Sequence, residues 1–511
     1  MRTNLTRAIH VLLFLVVSTA LWAQQAPQMK PAKASPAKAP VKASVAPQLL
    51  NGSIPVSTKS REARENLEMA LDQYENAGFE EAIMHAELAT DKDPKFALGY
   101  ALWSFAARRN TPAPDALKKA KELSRKCAGD ECLLITFLVG AQEANVLPAI
   151  SAMNDLVAKR YKDKHVLYLA GEWLYFQQDY DGAKKLWAKS LAIDPDFPPA
   201  LNMMGYIYVE AGDPEPQKAV EYLRRYAAVL PDQANPQDSL GEVLRMTGDD
   251  GGSLAHYAEA LRINPQMVTS QYGRADTYAM MGNANQAKNE YEKALQMSSN
   301  LRDKLHIEFQ LAMLHFWTGD ITGGREELAK LSGKAAKEND AAAQFEIDFA
   351  QALLSPTAAG ERQILQAIEV SLGEVRPGMQ EADRNAALAN VLREEVRVAV
   401  AAHLPQEASA ASQKLQQLCD TSQDRLVESV QESALGYIAL GSGDYSKASD
   451  QLAADLHAPL VVRSYIVSQE KSGDAAAVES ARKRLQYLRT PTAEWFVATH
   501  DTALASQLGP Q

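Results

Sequence analysis

From about residue 61 onward, apolar and small residues fall into a repeating helix, turn, helix, turn pattern. The segment from Gln178 to Asp213 shows the unit. Ala183, Trp187 and Ser190 share one helical face, and Pro195 ends that helix because the residue before a proline avoids the helical region. Leu201, Met204, Gly205 and Tyr208 mark the next helix, which Gly212 and Asp213 are expected to stop. Small residues at Ala82, Ala116, Ala149, Ala183, Ala219, Ser253, Ala287 and Gly324 recur at intervals of 34, 33, 34, 36, 34, 34 and 37. A period in this range predicts an array of helical hairpins. A single hairpin cannot bury its apolar face alone, so neighbours must stack into a solenoid.

The pattern is clear over 61–335 and degenerate over 336–490, returning at Gly436, Gly443, Asp444, Tyr445, Ala448 and Leu452. Ser355 to Gly360 marks a break between two stretches of the array, and 491–511 reads as a capping segment and tail. Composition agrees with helices packed through small contacts: 46% of residues are apolar but only 7% aromatic. The first 23 residues have the layout of a secretory signal: Arg2 and Arg7, an apolar run from Ala8 to Val17, and small residues up to Ala23. Leu21 departs from the usual small residue before the cut, and an uncleaved N-terminal anchor is the alternative. Residues 24–60, rich in Ala, Pro and Lys, cannot bury a core and read as a spacer. Lys30, Lys33, Lys38 and Lys42 within it would also allow a weak cell-wall or membrane-surface contact.

Charge is unevenly distributed. Residues 1–60 hold seven bases and no acid, so the overall −11 leaves −18 on the remainder. A body this acidic excludes general nucleic-acid binding, which needs clustered Lys and Arg.

Several repeats resemble the tetratricopeptide repeat family. Gly171, Tyr180, Ala183, Trp187 and Pro195 match one repeat; Leu201, Met204, Gly205, Tyr208, Ala219, Tyr226 and Pro231 match the next. Leu240, Gly241, Leu244, Gly248, Ser253, Tyr257, Ala260 and Pro265 match a third, and Ala275, Tyr278, Gly282, Ala287, Tyr291 and Ala294 a fourth. The resemblance implies an all-α fold, a right-handed superhelical α-solenoid, whose first helices line a concave face. Carried over position by position, that face holds His165, Tyr168, Glu172 and Tyr175, then Asn202 and Tyr206, then Asp238, Glu242 and Arg245, then Tyr272 and Asp276. A fifth repeat gives His306, Phe309, Met313 and Phe316; the apolar spacing of the last three reads first as core. A family subset grips a C-terminal carboxylate with Lys, Asn and Arg. Here Tyr168, Asn202, Asp238 and Tyr272 stand at those places, so that clamp is missing.

No catalytic constellation emerges. The nine histidines are scattered, and Gly441 to Asp444 and Gly248 to Gly252 read as inter-helix turns rather than phosphate loops. The acids at Asp91, Asp93, Asp194 and Asp196 flank repeat junctions and read as turn residues. No metal and no cofactor are expected. Cys127 and Cys132 are expected to form a local disulfide in an exported chain, and Cys419 to be a packing residue. The reading is a non-enzymatic interaction scaffold of the bacterial cell envelope, periplasmic or envelope-associated. Its partners are other proteins, with extended or helical basic segments bound in the groove. The alternative is an assembly or secretion component that contacts cell wall, polysaccharide or outer-membrane machinery.

Overall fold

The computed structural model describes residues 54–108, 113–125, 127–143, 146–210, 214–374 and 379–500. The signal segment, most of the 24–60 spacer with its lysines, the stop at Gly212 and Asp213, and the 501–511 tail lie outside the described residues. Among the described residues every regular element is helical. Twelve antiparallel hairpins follow one another. Their first helices are α1 (Arg61–Glu75), α3 (Ala97–Ala107), α5 (Gly129–Gly140), α7 (Lys164–Phe176), α9 (Pro198–Glu210), α11 (Asn235–Met246), α13 (Val268–Met280), α15 (Leu301–Trp317), α17 (Ala341–Leu353), α19 (Glu381–Ala401), α21 (Arg425–Gly441) and α23 (Pro459–Ser472). Their second helices are α2 (Phe79–Lys92), α4 (Pro114–Ser124), α6 (Leu147–Lys159), α8 (Tyr180–Ile193), α10 (Pro216–Val229), α12 (Asp250–Ile263), α14 (Ala284–Met297), α16 (Ile321–Lys337), α18 (Ala358–Gly373), α20 (Pro405–Ser422), α22 (Tyr445–Leu452) and α24 (Ala475–Tyr487). A short final helix, α25 (Ala493–His500), caps the array. The fold is an all-α solenoid.

The turns explain the glycine-acid pairs in the sequence. Gly248 and Gly443 end first helices at φ +85° and +78°, a left-handed conformation that costs glycine nothing. The next residue then caps the second helix: Asp249 accepts from the Gly252 N–H at 2.9 Å and Asp444 from Lys447 at 3.2 Å. Both segments are therefore helix-connecting turns. Asp93 and Asp194 stand instead at the C-terminal ends of α2 and α8 and make the turns that follow, accepting from the backbone N–H of Lys95 and Asp196.

Close approach within a hairpin explains the small residues. A Cβ added to Gly205 would stand 2.4 Å from Leu223 Cγ, and one on Gly171 would stand 2.5 Å from Trp187 Nε1. Leu223 and Trp187 are fully buried, so neither can swing aside. Gly205→Ala is expected to destabilise the protein by about 1–3 kcal/mol through overpacking. Urea denaturation measures it, and an unchanged midpoint would contradict this packing.

The two layers differ in burial. Ten of the twelve residues of α11 are buried, against three of the fourteen in α12. Second helices thus form an outer layer with one face in solvent. The last hairpins return against the earlier ones. Arg425 pairs with Asp179 at 3.6 Å, and the Tyr180 ring stacks on His457 with centroids 5.0 Å apart. Trp317 at the end of α15 meets Trp495, Phe496 and His500 of α25. Phe309, Met313 and Phe316 pack with Leu328, Leu331 and Ile347 in the core. Cys127, in the turn after α4, is bonded to Cys132 in the first turn of α5, and Cys419 is a free thiol packed partly against the core of the α19 to α22 region.

Candidate functional site

Side chains from α7, α9, α11 and α13 converge on a single cavity of about 190 Å³. All ten residues read from the sequence as groove positions line it: Tyr168, Glu172, Tyr175, Asn202, Tyr206, Asp238, Glu242, Arg245, Tyr272 and Asp276. His306 from α15 lines it too, whereas His165 stands behind, with its Nδ1 2.8 Å from Glu75 Oε2. Helical geometry brings the ten together. Residues three or four apart share a face, so Tyr168, Glu172 and Tyr175, or Asp238, Glu242 and Arg245, point the same way.

The cavity pairs phenols with carboxylates. The Tyr74 hydroxyl donates to Glu172 at 3.0 Å, that of Tyr206 to Glu242 at 2.7 Å, and that of Tyr291 to Asp276 at 2.6 Å. Tyr175 donates likewise to Glu210. Ser270 Oγ donates to Asp238 at 2.5 Å. Arg245 lies 3.6 Å from Glu242 and sends Nη1 to the Arg489 carbonyl at 3.1 Å. Six carboxyl groups, on Glu75, Glu172, Glu210, Asp238, Glu242 and Asp276, thus face a cavity whose guanidinium groups are Arg108 and Arg245.

Burial sets the protonation of these acids. It pushes both Asp238 and Glu210 up to about 7, against the hydrogen bonds from Ser270 and Tyr175 and with the neighbouring Glu242 adding to the rise. Glu242 and Asp276 are raised as well, again through burial, with Arg245 opposing. For Arg245 itself burial opposes the charge, but Tyr257, Asp276 and Glu242 outweigh it and its affinity for the proton rises. For Asp238 and Glu210, folded-state values above the unfolded ones, near 4, mean that they stabilise the fold fully below about pH 4 and that this contribution is lost as pH rises through about 7. The melting temperature is therefore expected to fall between pH 5.5 and pH 8, with each such group contributing up to about 1.4 kcal/mol per pH unit. Asp238→Asn should flatten the profile; an identical slope in the variant would contradict the assignment.

Sequence reasoning missed one wall of the cavity. Leu488, Thr490, Pro491 and Thr492, between α24 and α25, line it from the far end of the chain. Two arginines fasten this strap to the C-terminal ends of groove helices, where unpaired carbonyls and the helix dipole favour a cation. Arg484 donates to the Glu210 carbonyl at 2.8 Å. Arg489 donates to the carbonyls of Arg245 and Met280 at 3.1 and 3.2 Å, and pairs with Asp250 at 2.6 Å. Tyr74, Glu75 and Glu210 were also missed, although the first two close α1 and the third closes α9, in the same register as the residues found.

Comparison with known proteins picks out one of these hairpins. Residues 268–301 match the tetratricopeptide repeat family. The matched stretch comprises α13, the turn at Gly282 and Asn283, and α14, and it supplies Tyr272 and Asp276 to the cavity. No curated protein matches the chain. Among solved structures, a tetratricopeptide repeat protein of Parabacteroides merdae is 16% identical, over 53% of this chain and 93% of that one, with a TM-score of 0.35. A thermophilic tetratricopeptide repeat protein of Thermus thermophilus is 23% identical over 34% and 92%, with a TM-score of 0.30. The Cut9–Hcn1 hetero-tetramer of the APC/C aligns over 83% of this chain and 76% of that one at 15% identity, with a TM-score of 0.34.

Proposed function

We propose that the protein is a non-catalytic interaction scaffold whose concave face receives Lys or Arg side chains of a partner protein. One observation carries the reading. Ten side chains from four successive first helices converge on one cavity, and its carboxylates outnumber its cations. Tyrosine faces and carboxylates together suit a cationic side chain, through the ring quadrupole and charge-assisted hydrogen bonds. A cavity of about 190 Å³ accepts inserted side chains rather than a length of backbone laid along the helices. The basic start and apolar run of residues 1–23 support export, and with it a partner in the cell envelope.

The test uses neutral isosteres. Glu172 is 9% exposed and Asp238 5%, so reversing their charge would bury an unpaired cation and test folding instead. Envelope extract is crosslinked to the full-length protein or to its Glu172→Gln, Asp238→Asn, Glu242→Gln variant. A partner captured about tenfold less by the folded variant is the expected result. Equal capture would contradict the reading. Deleting 24–59 addresses the tether: its five lysines without an acid would suit a weak surface contact, and loss of wall or membrane association would assign it that role.

A further inference from the structure

We infer that the cavity is a binding site for a small linear polyamine, a ligand class apart from the protein partner proposed above. With the strap of Leu488 to Thr492 in place, the space inside is of small-molecule size, an order of magnitude above the about 10–15 Å³ that one water needs. Its chemistry asks for donors. Asn202 Oδ1 and Glu75 Oε1 are buried acceptors without a hydrogen-bond partner, on side chains 9% and 4% exposed, and both residues line the cavity. Leaving such acceptors unpaired in a buried site is costly, most of all for a carboxylate. An alkylammonium supplies three N–H donors and no acceptor, so it satisfies them without introducing a new unpaired group.

The layout favours a chain of amines over a point charge. The carboxylates are borne on separate helices, α7 with Glu172, α11 with Asp238 and Glu242, and α13 with Asp276. Packed helices stand about 8–10 Å apart, so one compact ion cannot serve them all. Among the described residues no group of three His, Cys, Asp or Glu side chains is placed to hold a metal ion. The walls between the acids are apolar or aromatic, with Tyr206, Tyr272, Met203 and Leu488, which suit the methylene runs between amines.

Calorimetric titration of the purified full-length protein with spermidine tests this. One saturable site is expected, weakened about tenfold in Asp238→Asn and also weakened in Asn202→Ala, with helical circular dichroism unchanged. Glu326→Gln, an exposed acid on α16, should bind as the parent does. Diacetylated spermidine, which keeps the carbon chain but loses the terminal charges, should bind at least tenfold more weakly. Absence of a saturable site, equal binding by Asp238→Asn, or the same isotherm with magnesium chloride would overturn the inference. Spermidine binding without partner capture would overturn the scaffold reading alone. Partner capture by a protein that binds no spermidine would overturn this inference alone.

Discussion

Arg393→Met is expected to destabilise the protein by about 3–5 kcal/mol, the cost of leaving buried charges without their partner. Arg393 sits in α19 with its side chain fully buried. Its guanidinium reaches Asp455 at 2.6 Å, Glu394 at 3.0 Å and Glu494 at 3.9 Å. Arg397, one turn on, pairs with Glu361 and Glu394. These contacts tie α19 to α18, to the end of α22 and to α25. Burial pushes Asp455 up to about 6 and Glu494 up to about 7, with Arg393 pulling both down. Without the arginine both carboxyls would take up protons, so the loss should be larger at pH 8 than at pH 5.5. Adding Asp455→Asn should recover part of it, because one stranded charge is gone. Urea midpoints of the single and double variants measure both effects, and a single-variant loss below about 1 kcal/mol would contradict the network's role.

Trp187→Ala is expected to cost a similar amount, about 3–5 kcal/mol, for a different reason. The ring is fully buried in α8 and fills the space left open by Gly171. Its Nε1 donates to the Tyr168 carbonyl at 3.1 Å, and its ring lies 6.5 Å from that of Tyr168 and 5.6 Å from that of Tyr175. Removing it leaves a cavity directly behind two groove tyrosines. Stability and groove geometry should therefore fail together, with lower thermal midpoint and weaker partner capture in the same variant. Trp187→Phe retains most of the volume and should lose less of both. Equal losses in the two variants would show that the indole hydrogen bond, not the volume, holds the site.

These two residues mark the limits of what the chain reveals before folding. Trp187 was legible because packing in a hairpin is local: a glycine on one helix and a large ring on the next recur at a fixed distance. The groove register was legible for the same reason, since Tyr168, Tyr206 and Tyr272 occupy first helices that the period locates. Arg393 and Arg397 were not. A charge run on a helix has the pattern of a solvated face, and only tertiary packing shows that α19 buries it. The hairpins from α17 to α20 lack the repeat signature where charged pairs replace small contacts. The strap was invisible because Arg489 meets Asp250 across 239 residues, a separation that leaves no periodic trace. Glu172 and Asp238 were recognised as groove residues, but their deep burial followed from that returning strap and its neighbours.

Whether the concave face is where a partner is held can be read directly by site-specific photocrosslinking. A benzophenone side chain is placed at Met203, which lines the cavity and is partly exposed, or at Tyr161, which is 62% exposed in the turn after α6. A discrete partner adduct is expected from Met203, diminished by the Glu172→Gln, Asp238→Asn, Glu242→Gln substitutions, and none from Tyr161. An adduct from Tyr161 with none from Met203 would contradict it.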